Sequence, residues 1–144
     1  MIRKASLDDL QTIVDLENKV FGHTLGYAFL KQELLENEFS RMYVYTKNNQ
    51  IIAYLSYRQI DTNADILNFL VDTPFQNQGI GKSLFEHVLL DMKEDGVNSL
   101  VLEVRTSNER AICFYKKYGA TIVTTIKNYY ETEDAYMMYM EVKS

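Results

Sequence analysis

Residues 76–83, Gln-Asn-Gln-Gly-Ile-Gly-Lys-Ser, join a strand-like run, Ile66-Leu67-Asn68-Phe69-Leu70-Val71, to an amphipathic run that begins at Ile80. Two glycines at such a junction let the N–H groups of a helix start approach an anionic ligand closely. The segment points to a phosphate-bearing ligand; the plainer account is two glycines easing a tight turn. Gly81-Lys82-Ser83 invites a nucleotide-triphosphate loop, but that motif needs a glycine five residues before Gly81, where Gln76 stands. A dinucleotide fingerprint needs a third glycine three residues after Gly81, and Leu84 occupies that place. What remains is Gln-x-x-Gly-x-Gly between a strand and a helix.

The rest of the chain supplies the frame for that junction. Ile2 to Ala5 reads as a short strand, and Ser6 with Asp8 and Asp9 as the capped, acidic start of a helix. Leu10, Ile13, Val14, Leu16, Glu17 and Val20 follow at helical spacing to about Phe21. A second helix is expected from about Tyr27 to Asn37. Met42 to Thr46 and Ile51 to Gln59 are strand-like, with Asn48-Asn49 as the tight turn between them. Asp65 to Val71 is a third long strand, stopped near Pro74. Ile80, Leu84, Val88 and Met92 fall four apart, the stripe of a helix ending near Gly96. Leu100 to Arg105 suits a buried strand, and strand, helix and strand in succession predict a parallel pair with a right-handed crossover. Asn108 to Tyr118 reads as a helix closed by Gly119. Strands at about Thr121 to Lys127 and Ala135 to Val142 flank a loop from Asn128 to Asp134. The order βααβββαβαββ predicts an α/β protein with a mixed, mostly antiparallel sheet around a central parallel βαβ unit.

With 144 residues and no repeats or linkers, one domain spanning 1–144 is expected. A net charge of −5 argues against direct nucleic-acid binding, and no apolar run is long enough for a membrane span. A cytoplasmic monomer is the default expectation. Cys113 is the single cysteine, so no internal disulfide forms; it reads as a small buried hydrophobe. His23 and His87 lie far apart without cysteine clusters, so no metal site is expected.

The loop and the element order together resemble the GNAT superfamily of N-acetyltransferases. The resemblance implies that residues 76–83 (Gln76, Asn77, Gln78, Gly79, Ile80, Gly81, Lys82 and Ser83) hold the pyrophosphate of acetyl-CoA. It also implies that the pantetheine arm runs along Phe69, Leu70 and Val71. A second signal is Leu102-Glu103-Val104-Arg105-Thr106-Ser107-Asn108 with Ala111 and Tyr115, joined by Asn128-Tyr129-Tyr130 and Asp134-Ala135. This resembles the RimI-type branch, the ribosomal-protein-alanine N-acetyltransferases, from about Ile2 to Met140. The branch implies acetyl transfer to a protein's N-terminal α-amine, with the N-terminus of a ribosomal protein as the partner.

An N-terminal amine titrates near about 8, so it must lose a proton before it attacks. A partly desolvated carboxylate can take that proton, directly or through water. Strand alternation turns Val101, Glu103 and Arg105 to one face, making Glu103 the candidate base. The competing account is a Glu103–Arg105 pair on that face, and the resemblance favours the base. It further implies that Val71 N–H stabilises the oxyanion, that Tyr115 is the general acid, and that Asn108 contacts the pantetheine arm. Asn108 also suits a helix N-cap, and both roles are compatible.

Tyr129, Tyr130 and Glu131 fall where this fold borders its acceptor groove, so they are candidate substrate contacts. Glu131, Glu133 and Asp134 would attract basic side chains there; a solvated hairpin tip explains them equally well. The chain departs from many relatives at Phe21-Gly22-His23-Thr24-Leu25-Gly26-Tyr27, where they carry a Pro-Trp pair; this bears on the acceptor. Phe69 is bulkier than its counterpart in some relatives. Two alternatives stay open: acetylation of a small-molecule amine, and a non-catalytic acyl-CoA-binding module.

Overall fold

The structure, a computed structural model, describes residues 1–143. Its elements are β1 (Ile2–Lys4), α1 (Leu10–Phe21), α2 (Tyr27–Leu35), β2 (Ser40–Lys47), β3 (Gln50–Ile60), β4 (Asn63–Val71), α3 (Ile80–Glu94), β5 (Ser99–Arg105), α4 (Glu109–Lys116), β6 (Thr121–Tyr130) and β7 (Glu133–Glu141). They form one seven-stranded sheet in the order β1-β2-β3-β4-β5-β7-β6, antiparallel except where β4 meets β5. That is the predicted order and the predicted mixed sheet, with the parallel pair at its centre.

Local chemistry explains most boundaries. Asp9 accepts from Ser6 N–H at 2.7 Å and pairs with Arg3, which fixes the entry to α1. Gly22, at φ +78°, ends that helix in the left-handed conformation open to glycine. Asn48 and Asn49 both take positive φ, as a two-residue hairpin turn requires. Helix α2 stops at Leu35, two residues short of the expected Asn37. Both Glu36 N–H and Asn37 N–H donate to Gln32 O, which closes the last turn.

One boundary differs in a way that matters. The expected loop from Asn128 to Asp134 is mostly strand: β6 runs on to Tyr130 and β7 begins at Glu133, leaving Glu131 and Thr132 as the turn. Tyrosine favours the extended chain, and Asn128, at φ +55°, absorbs the irregularity in β6 that precedes it.

Each face of the sheet carries its own core. Leu84, Phe85, Val88 and Met92 of α3 pack with Ile112 and Tyr115 of α4 against Ile66, Leu100, Leu102 and Val104. Leu10, Ile13 and Leu16 of α1 with Leu30 of α2 cover Met42, Val44, Tyr54 and Leu70 on the opposite face.

The central parallel pair is short. It covers only Asn63↔Ser99, Ala64↔Leu100 and Asp65↔Val101, whereas β4 continues to Val71 and β5 to Arg105. β5 stays paired with β7 along its whole length. In β4 the register with β3 steps from Ser56↔Asn68 to Tyr57↔Ile66, so Leu67 is an extra, bulged residue just where the seam opens. A bulge bends its strand, and here β4 goes with β3 while β5 goes with β7. The sheet therefore parts along about 20 Å of β4, at about 3.3 Å per residue.

Candidate active site

The parted seam is continuous with a cleft of about 980 Å³. Asp72 N–H donates to Ile52 O at 2.8 Å, which makes Asp72 and Leu70 hydrogen-bonding partners of β3. The antiparallel ladder alternates, so the N–H groups of Phe69 and Val71 are directed away from β3, into the opened seam. Val71 C=O on that same side accepts from Gln76 Nε2 at 2.9 Å. Phe69, Leu70 and Val71 all line the cleft.

At the mouth lies the start of α3. Its first internal bond runs from Ser83 N–H to Gly79 O at 3.0 Å, and no side chain caps it. The N–H groups of Gly79, Ile80, Gly81 and Lys82 are therefore the unsatisfied donors at the positive end of the helix dipole. Asn77 at φ +64° and Gly79 at φ +81° shape the loop before them. A Cβ at Gly81 would touch Val71 Cγ2 at 3.4 Å, so the glycine lets α3 lie against the end of β4. Gln76, Asn77, Gly79, Gly81 and Lys82 line the cleft. The side chains of Gln78, Ile80 and Ser83 do not: Gln78 donates to Pro74 O, and Ile80 is buried in the core.

Helix α4 forms the far wall. Asn108 is its N-cap, with Oδ1 accepting from Ala111 N–H at 3.2 Å, while the residue also faces the cleft. Tyr115 is buried at the cleft's inner end between Phe85 and Phe114, at ring separations of 5.7 and 5.3 Å. Burial and the neighbouring Tyr130 push its phenol well above the ordinary value, so it holds its proton through the neutral range. Phe69 stacks on Phe85 at 6.0 Å within the same aromatic group. Cys113 is exposed and lines the cleft, contrary to the expected burial. It does point away from Ile112 and Tyr115, the buried residues of α4, but that other side faces solvent rather than core.

Glu103 lies outside the cleft lining, on the α1–α2 face of the sheet, half-buried. Burial raises its pKa, and the Asp65 carboxylate raises it further. It makes no pair with Arg105, whose guanidinium instead meets Glu133 at 3.5 Å and lies over the Tyr130 ring at 4.2 Å. The pairing that competed with a base role is thus absent. Tyr129 is half-exposed, and its phenol is pushed up by burial and by the nearby Glu103 and Asp65 carboxylates. Tyr130 packs on Tyr129 edge to face at 5.0 Å. Tyr130 is the residue near both ends of this group, with Tyr129 and Glu103 on one side and Tyr115 on the other.

The acidic residues of the hairpin divide. Glu133 accepts from Ser107 N–H at 2.7 Å and Thr106 Oγ1 at 3.2 Å, and Asp134 accepts from Asn128 N–H at 2.8 Å. Both hold turns, and Glu133 also pairs with Arg105 of this chain; of the three acids, Glu131 is the exposed one outside any ion pair among the described residues.

Sequence reasoning missed Glu17. Its carboxylate is fully buried and accepts from Tyr54 OH at 2.8 Å, Asn68 Nδ2 at 2.6 Å, Thr24 Oγ1 at 2.6 Å and Leu25 N–H at 3.1 Å. It ties the 22–26 segment to β3 and β4. The signal was present: an acid standing among the apolar positions of the α1 stripe. Asp65 was missed too, since a charge at a strand start is ordinary until the fold sets it beside Glu103. Among the described residues no group of three or more His, Cys, Asp or Glu side chains is placed to hold a metal, and no helix is long and apolar enough to cross a membrane.

A mixed sheet parted at its one parallel seam, beside an uncapped helix start, is the frame of a GNAT-fold acetyltransferase. The chain belongs to the Acetyltransferase (GNAT) family, whose model matches residues 7–120. It is 36% identical over 128 residues to the [ribosomal protein bS18]-alanine N-acetyltransferase of Escherichia coli strain K12, covering 86% of this chain and 79% of that protein. The crystal structure of the ribosomal-protein-S18-alanine N-acetyltransferase from Escherichia coli superposes with a TM-score of 0.92 at 28% identity, covering 100% of this chain and 94% of the other. That of Ard1 from Thermoplasma volcanium gives 0.91 at 31% identity, covering 100% and 98%.

Proposed function

We propose that the protein transfers an acetyl group from acetyl-CoA to the N-terminal α-amine of a protein, the N-terminal alanine of a ribosomal protein being the favoured acceptor. The observation that carries this reading is the opened β4–β5 seam, with the Phe69 and Val71 N–H groups directed into it. An extended pantetheine arm suits such an edge as an added strand would. Its pyrophosphate then meets the free amides of residues 79–82 at the α3 start. Relatives that act on ribosomal protein bS18 support the acceptor.

The chemistry follows by position. The acceptor reaches the thioester from the α1–α2 face, past Tyr129 and Tyr130. Glu103, held ready by its raised pKa, takes a proton from the ammonium. The freed nitrogen attacks the thioester carbon, and Val71 N–H donates to the developing oxyanion. As the C–S bond breaks, the thiolate receives the Tyr115 proton, the second proton of the attacking nitrogen passes to solvent, solvent returns a proton to Tyr115, and Asn108 steadies the arm. The amide product carries the acetyl group, and CoA leaves as the thiol.

The test is CoA release on incubation with acetyl-CoA and a panel of N-terminal peptides and small amines. Release with alanine-first peptides is expected; release with small amines alone overturns the acceptor assignment. Tyr115→Phe should lower kcat about 100-fold or more, the span of acid catalysis, while acetyl-CoA affinity holds. If binding falls with kcat, Tyr115 is a packing residue and the acid lies elsewhere.

A further inference from the structure

Arg110, on the first turn of α4, reaches across the mouth of the cleft to the loop that precedes α3. Its Nη1 donates to Gln76 Oε1 at 3.3 Å, and its Nη2 donates to Asn77 Oδ1. Gln76 is itself anchored to Val71 O through its Nε2. One side chain thus links α4, the loop and the end of β4 across the gap that a ligand must occupy.

The charge there is positive. Arg110 is exposed and takes part in none of the ion pairs among the described residues; both of its acceptors are neutral amides. Lys82 and Lys117 line the same cleft equally unpaired, against Glu86 as its single acidic lining residue. A protein of net charge −5 therefore keeps a cationic rim at this mouth. A guanidinium is planar and suits two oxygens at once, and here its fork is already oriented by the two amides, which lowers the ordering cost of binding.

We propose that Arg110 is a clasp on the pyrophosphate of the donor, closing from α4 on the side opposite the α3 amides. This rests on the acetyl-CoA reading above and adds to it a side chain from a separate element. In the free protein the guanidinium is parked on Gln76 and Asn77. With donor bound it turns its fork to the phosphate oxygens, which neutral amides cannot match as acceptors.

Calorimetric titration with CoA and with dephospho-CoA, which keeps the pyrophosphate but lacks the 3′-phosphate, tests this on the full chain and on Arg110→Ala. The substitution should weaken both ligands by the same factor, about tenfold or more. Arg110→Lys, which keeps the charge without the fork, should recover only part of the loss. An unchanged CoA affinity overturns the clasp. So does a loss seen with CoA but not with dephospho-CoA, which would assign the cation to the 3′-phosphate. A full chain that binds neither ligand sinks the donor assignment itself, and the clasp with it.

Discussion

Glu103→Gln should cut kcat/KM for an alanine-first peptide by about 100- to 10,000-fold, the usual contribution of a positioned general base. The shape of the pH profile is the sharper readout. At neutral pH an α-amine acceptor is mostly protonated, so on the proposed mechanism the wild type depends on Glu103 to remove that proton. The deficit of the variant should be greatest there and should narrow toward about pH 9, where free amine is supplied by the solvent. A uniform deficit at every pH would mean that Glu103 positions the acceptor without taking its proton.

The same substitution should make the protein more stable at neutral pH. Burial and the Asp65 carboxylate raise the Glu103 pKa in the folded state. Below the unfolded value, about 4.3, the acid is protonated in both states and adds no penalty. As pH rises through the raised folded value, keeping the group ionised costs stability, and glutamine removes that cost. Melting curves should therefore coincide near pH 4 and separate at pH 7, with Glu103→Gln the higher. A variant that melts lower at pH 7 would show that the ionised carboxylate has partners that hold the fold together.

Glu17→Ala is expected to lower stability by about 3–4 kcal/mol. The substitution strips the acceptor from Tyr54 OH, Asn68 Nδ2, Thr24 Oγ1 and Leu25 N–H in a site closed to solvent. Each unsatisfied buried donor costs about 1–3 kcal/mol, reduced where the segment can relax. For a domain of this size the melting temperature should fall by roughly 10 °C. Because Glu17 holds residues 22–26 to β4, the surviving folded protein should show a raised KM for the peptide with acetyl-CoA affinity little changed. A shift below about 1 kcal/mol would mean that water replaces the carboxylate.

How much of this was legible beforehand depends on the range of the interaction. The Asn48-Asn49 turn, the α3 stripe and the glycine loop were readable because each rests on a few adjacent residues: handedness at a turn, a helical period, a backbone without Cβ. Strand alternation likewise placed Glu103 opposite Leu102 and Val104. The Tyr129–Tyr130 segment reads as loop in the sequence, since the Asn128 irregularity looks like a turn until β7 pairs across it. The exposure of Cys113 is not legible in the sequence, because helical spacing says which residues share a face, not whether another element covers that face.

The sequence by itself determined the order of elements, the free helix start at Ile80 and the succession of Glu103 and Tyr115 behind it. Only the tertiary structure decided that β4 and β5 part after Asp65↔Val101, that Glu103 sits beside Asp65 rather than pairing with Arg105, that Glu17 is buried under four donors, and that Arg110 bridges the cleft. Each of these depends on register and contact between segments far apart in the chain. A one-residue bulge at Leu67 sets where the sheet opens, and nothing in the neighbourhood of Leu67 announces it until β3 supplies the register.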